Sequence, residues 1–272
     1  MCSRFLSRSG TILMLLPFCL SCFSSASPLK VCADPDNLPY SNRASEGYEN
    51  KIAELLARDL GRPLQYHWAR LGRGFVREYL NQHECDLLIE VPKGYPQVLT
   101  TPPYFTSTYV FVSRESRNLE VTSFEDPRLR NFRIGLQTVT DDYTPPGHAL
   151  ARRGLIANVV GFNGKRQGER AIIHAVAAGS IDLAIVWGPV AGFYGRKENV
   201  PLRSDSSPAF DTPAMPFRFA ISMGVRKDDR KLHDQVAAFL IRRKSAINAV
   251  LRRYGVPIIN PVTKEAAMGM SR

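Results

Sequence analysis

Apolar positions along this chain follow two rhythms, and each rhythm names an element. From Asn50 they recur at Ile52, Leu55, Leu56 and Leu60, while Lys51, Glu54, Arg58 and Asp59 fall on the other side, which predicts an amphipathic helix. Gly61, free to take positive φ, stops it. Just upstream, Leu29 to Ala33 is short and apolar enough for a buried strand, and Asp34, Pro35, Asp36, Asn37, Pro39, Ser41 and Asn42 break it with turn formers. Strand, loop and helix in succession make half of a βαβ unit. In open α/β sheets, ligands bind beyond the carboxyl ends of the strands, so the loop from Asp34 to Glu49 is expected to form a cleft wall.

The same alternation continues. Pro63 to Trp68 reads as a second strand, Gly74 to Asn81 as a short helix with Phe75, Val76, Tyr79 and Leu80 on one side, and Asp86 to Val91 as a third strand. Prolines at 96, 102 and 103 then forbid regular structure, and Thr108 to Val112 reads as a crossing strand. A second α/β pattern follows, with strands at Phe132 to Leu136, Ala157 to Phe162 and Asp182 to Trp187. A helix fragment at Ala149 to Gly154 and a helix through Ile172 and Val176 ending at Gly179 separate them. Phe217 to Val225 is expected to cross back, and two helical stripes close the chain, Leu232, Val236, Phe239, Leu240 and then Ile247, Val250, Leu251, Tyr254. Hence the expectation is an α/β protein with two parallel-sheet lobes joined by two crossing strands. The first lobe, 29–112 plus 222–262, is discontinuous, and the second is 113–221.

Residues 1–26 carry Arg4 and Arg8, an apolar run from Thr11 to Phe18 and the small residues Ser24, Ser25 and Ala26, the pattern of a cleaved secretory signal peptide. That run is too short to span a bilayer, and no later segment is long enough without charges, so no membrane segment is expected in the mature chain. Loss of Arg4 and Arg8 takes the formal charge from +11 to +9, which favours acidic partners or anionic surfaces. The densest basic group, Arg242, Arg243, Lys244, Arg252 and Arg253, lies on helices with an apolar opposite face, and no nucleic-acid motif accompanies it.

Only Cys32 and Cys85 remain after cleavage near Ala26. In an exported protein such a pair points to one disulfide, with two unbridged buried thiols as the alternative. Two cysteines without histidines at ligand spacing do not supply a zinc site. His67, His83, His148, His174 and His233 are scattered over different elements. No nucleophile-base set, phosphate-cradling loop or cofactor motif is present, so an enzyme is not expected.

Pro39-Tyr40, Glu46 to Ile52, Asp86 to Ile89 and Pro103 to Ser107 resemble the periplasmic solute-binding proteins of amino-acid transporters. That family grips its ligand carboxylate with an arginine after the third strand, where this chain has Glu90 to Gln97. The family holds the ligand ammonium with an acid after the last strand of the second lobe, where this chain has Trp187 to Gly192. A buried charged ligand needs such partners, so ordinary amino-acid capture is not expected. Five stretches match the MxaJ/XoxJ group much more closely: Val31 to Gly61, the cysteine pair, Tyr104 to Arg114, Arg133 to Leu155 and Asp182 to Tyr194. The resemblance implies a two-lobed protein of the periplasmic binding protein type 2 fold. It implies a periplasmic accessory that assists a PQQ-dependent methanol dehydrogenase in maturation or activation. The other reading is a small-ligand receptor of an ABC transporter.

The expected cleft positions are Asp34, Asn37, Pro39, Tyr40, Tyr48, Glu49, Glu90, Tyr104, Gln137, Thr138, Trp187 and Gly188. The aromatic ones either fill space between lobes or line a groove for a hydrophobic ligand or a partner's flexible segment. Asp34 and Asn37 either add polar specificity or cap turns, and Gln137 and Thr138 equally serve as turn residues.

Overall fold

The computed structural model describes residues 26–139, 142–163 and 168–259. Nearly all of the expected leader therefore lies outside the described residues. One mixed sheet runs through the molecule. Its main strands are β1 (Leu29–Ala33), β2 (Leu64–Trp68), β3 (Leu87–Pro92), β4 (Phe105–Arg114), β5 (Ile134–Val139), β6 (Val159–Asn163), β7 (Leu183–Trp187), β8 (Leu202–Ser206) and β9 (Arg218–Val225). The spatial order is β6-β5-β7-β4-β9-β3-β1-β2, with β8 also paired to β4.

Pairing changes sense at the middle of the path. β1 lies parallel to β2 and β3, and β5 lies parallel to β6 and β7, as buried βαβ units require. Between these halves, β4 and β9 run antiparallel to each other, and each also pairs with a strand of one half, β4 with β7 and β9 with β3. The two crossing strands are thus shared ladders, which join the halves by backbone hydrogen bonds instead of by loose linkers.

Helix α1 (Tyr48–Leu60) buries Ile52, Ala53 and Leu56 against β1 and β3, and Gly61 closes it in the left-handed conformation at φ 63°. The helices α5 (Arg230–Arg242) and α6 (Lys244–Arg253) return to the same cluster through Leu232, Val236, Phe239, Ile247 and Leu251. The second half packs around Phe111, Leu129, Leu136 and Phe217 on one face and around Val112, Ile173, Val186 and Val190 on the other.

Cys32 in β1 and Cys85 just before β3 form a disulfide with Cα atoms 5.3 Å apart. On the loop-entropy model, closing a loop of this length stabilises by about 4 kcal/mol.

Several elements differ from the sequence reading. The expected helix at 74–81 contracts to one wide turn, Val76–Leu80, in which Asn81 N–H reaches the Val76 carbonyl. The 149–154 fragment becomes α2 (Pro145–Arg152), since prolines are accepted in a first helical turn. Helix α3 (Arg170–Ala177) stands as expected, but α4 (Gly188–Gly195) and β8 were not anticipated. α4 is buried at Pro189, Val190, Ala191 and Tyr194 and so lacks an amphipathic stripe, and β8 is a polar edge strand without apolar alternation. No helix among the described residues is long and apolar enough to cross a membrane.

Candidate functional site

The crevice between the halves is built around the start of α1. Tyr48 N–H donates to the Pro39 carbonyl and Glu49 N–H to the Tyr40 carbonyl, both at 2.9 Å, which clamps the turn-rich loop onto the helix N-terminus. Gly47 permits this approach: a Cβ there would lie 1.9 Å from the Tyr40 carbonyl oxygen. The clamp sets the Tyr40 and Tyr48 rings 5.6 Å apart. Tyr48, fully buried, donates its hydroxyl hydrogen to Glu90, which β3 delivers from the other side. Tyr104 closes this wall and donates to the Ile89 carbonyl at 3.0 Å.

The facing wall comes from the second half. Trp187 ends β7 and sits edge-on to Tyr109 at 5.4 Å and to Phe219 at 5.8 Å. Gln137, at the end of β5, donates to the Glu169 carboxylate. Tyr40, Glu90, Tyr104, Tyr109, Glu169 and Trp187 are all half-buried.

Electrostatics here are those of acids without cations. Burial pushes the Glu90 carboxyl up to about 7, against the opposing pull of the Tyr48 hydroxyl and the Trp187 indole N–H. Glu49 is raised well above the usual carboxylate range, first by burial and then by Glu90 and Asp34. Burial likewise takes Glu169 to about 7, with Gln137 opposing. Glu169, Glu90 and Glu49 all act on Tyr40, adding to the burial that raises its phenol. Among the described residues, no Lys, Arg or His forms an ion pair with Glu49, Glu90 or Glu169. The described residues also hold no His, Cys, Asp and Glu cluster arranged for a metal ion.

The structure brings Tyr40, Tyr48, Glu49, Glu90, Tyr104 and Trp187 together. Asp34 takes the turn-capping role, with its carboxylate accepting from Asp36 N–H at 3.0 Å and Leu71 N–H at 3.1 Å. Pro39 contributes its carbonyl, and Asn37 pairs with Ser41 in a two-residue ladder. Thr138 lies in the β5–β6 ladder opposite Asn163. Gly188 packs at the crossing: a Cβ there would lie 2.4 Å from Pro257 and 2.9 Å from the Thr108 carbonyl.

Tyr109, Phe219 and Glu169 were missed. Alternation in β4 places Tyr109 on the same face as Phe111, a signal the sequence carried, whereas Glu169 among polar loop residues carried none. Contacts away from the crevice hold the halves together. Tyr194 donates to the Leu38 carbonyl at 2.9 Å, and the Phe193 and Tyr254 rings stack at 5.7 Å.

No family model matches the chain. It is 32% identical over 254 residues to Protein MoxJ of Methylorubrum extorquens, covering 86% of this chain and 82% of that protein. The crystal structure of MxaJ from Methlophaga aminisulfidivorans superposes with a TM-score of 0.77 at 29% identity, covering 85% of this chain and all of that one. The crystal structure of periplasmic binding protein XoxJ from Methylobacterium extorquens gives 0.71 at 34% identity, over 86% of this chain and all of that one. The two parallel-stranded halves, the antiparallel crossing and these likenesses agree: the chain belongs to the MoxJ/MxaJ/XoxJ family and has its two-lobed periplasmic binding protein type 2 fold.

Proposed function

We propose that this protein is a periplasmic, non-enzymatic accessory of a PQQ-dependent methanol dehydrogenase system, which binds the dehydrogenase and assists its maturation or activation. The observation that carries this reading is the crevice, which keeps the place of an amino-acid site without its two anchors. Glu90 to Gln97, at and beyond the end of β3, contains no arginine, and β7 runs through Trp187 directly into α4 with no acid to hold an ammonium. Contacts such as Tyr194 with Leu38 and Phe193 with Tyr254 favour one continuous surface presented to a partner. The basic balance of the chain suits an acidic protein partner.

Titration of the purified dehydrogenase with this protein tests the proposal. Saturable binding that weakens with added salt is expected, together with reduced dehydrogenase activity in a strain lacking the protein. No binding and unchanged activity overturn it. A second reading, an ABC-transporter receptor for a small solute, draws on the half-buried rings and unpaired acids of the same crevice.

A further inference from the structure

The sequence contains 36 Lys and Arg against 25 Asp and Glu, so an acid without a cation is unexpected here. Outside the crevice several described carboxylates find guanidinium groups: Asp59 is bound by Arg242 and Arg243, Asp211 by Arg153, and Asp86 by Arg226. Inside it the pattern stops. Glu49 is only 7% exposed, and among the described residues no hydrogen bond reaches its carboxylate, which lies close enough to Tyr48, Tyr104 and Glu90 to perturb or be perturbed by each. A nearly buried, unpartnered carboxylate is costly to keep, and the chain holds it beside a second one, Glu90, that a half-open crevice leaves reachable.

The rings add an independent selection. Tyr40 and Tyr48 lie 5.6 Å apart at an interplanar angle of 54°, and Trp187 and Tyr109 lie 5.4 Å apart at 66°, so each half brings a pair of tilted aromatic rings to the crevice, and all but Tyr48 are half-buried. Aromatic faces attract cations, most strongly where water is excluded. A ligand carboxylate would meet like charge at Glu49 and Glu90, and no positive side chain among the described residues pairs with either acid.

We propose that the crevice between Glu49, Glu90 and the facing aromatic rings binds an organic monocation, an alkylammonium or guanidinium group without a carboxylate of its own. A positive head seated between Glu49 and Glu90 supplies the counter-charge the chain withholds, and its alkyl part packs on Tyr40 and Trp187. A zwitterionic amino acid is rejected by the same acids. The group arrives either as a free amine or as a lysine or arginine side chain of a bound protein. The inference does not rest on the dehydrogenase reading, since the isolated protein displays it.

The test is thermal unfolding and calorimetric titration of the intact protein with n-butylammonium chloride, sodium butyrate, norleucine and the capped peptide acetyl-Gly-Lys-Gly-amide at equal ionic strength. n-Butylammonium or the capped lysine peptide is expected to raise Tm, with butyrate and norleucine without effect. A response to butylammonium points to a free amine, and a response to the peptide alone points to a partner's side chain. Glu90→Gln and Glu49→Gln, which keep shape and remove charge, are each expected to weaken binding at least tenfold, and Asp59→Asn leaves it unchanged. No shift with either cation, an equal shift with butyrate or norleucine, or unaltered affinity in both Gln variants overturns the proposal.

Discussion

Helix α1 carries a carboxylate near each end, and the two meet opposite fates. At the C-terminal end Asp59 accepts from Arg242 at 2.6 Å and from Arg243 at 2.7 Å, and those guanidinium groups hold its carboxyl below the usual range. At the N-terminal end Glu49 is buried beside Glu90 and raised. The helix dipole favours the reverse assignment, an anion at the N-terminus and a cation at the C-terminus. Dipole effects are worth about 0.3–1 kcal/mol, whereas desolvating a carboxylate costs several, so the neighbours win at both ends. Residue type and helix position therefore say little about a charge here. What matters is whether a cation and water reach it. Surface arginines reach Asp59, and the ring-lined crevice keeps them from Glu49.

Each end also has a glycine, and the two should separate most widely under mutation. Gly47→Ala is expected to cost about 3 kcal/mol, because its Cβ would overlap the Tyr40 carbonyl and the backbone loop has to move. Urea unfolding measures it, with near-ultraviolet circular dichroism showing the displaced tyrosines. Next comes Glu90→Gln. Glu90 has a folded value of about 7, above its unfolded value of 4.5, so its contribution is fully present below about pH 4.5 and is lost as pH rises through 7. The variant should therefore be more stable than the parent by about 2 kcal/mol at pH 8, with the difference closing below about pH 4.5. Asp59 has the opposite sign: lowered on folding, it stabilises above its unfolded value of 3.8 and loses that as pH falls below it.

Gly61→Ala should cost about 1 kcal/mol by unfolding, because φ is 63° but nothing lies within 4 Å of the added Cβ. The smallest effect belongs to Asp59→Asn, about 0.5 kcal/mol and vanishing in high salt, since both arginines are half exposed. A salt-insensitive loss larger than that of Gly47→Ala would break the contrast between the two ends.

Much of the architecture was legible because burial writes itself into spacing. The i, i+3, i+4 stripes of α1, α5 and α6 and the continuous apolar runs of β1, β3 and β7 each state which face turns inward. α4 escaped because a helix buried on more than one side has no stripe. β8 escaped because Leu202 to Ser206 at an edge needs only backbone pairing to β4. Of the candidate site, the aromatic residues at strand ends were legible. Their grouping with Tyr109, Phe219 and Glu169 was not, since it depends on how the two halves face each other.

By itself the sequence determined the alternation of strands and helices, the cysteine pair and the loss of an arginine and an acid where an amino-acid receptor keeps them, since local periodicity and residue identity suffice for these. Only the tertiary structure decided which charges stay unpaired. The sequence holds 36 basic residues against 25 acids, yet among the described residues none of them pairs with Glu90, around which the fold closes Tyr40, Tyr48 and Trp187. Pairing depends on distance and on access to water, and both are properties of the folded surface.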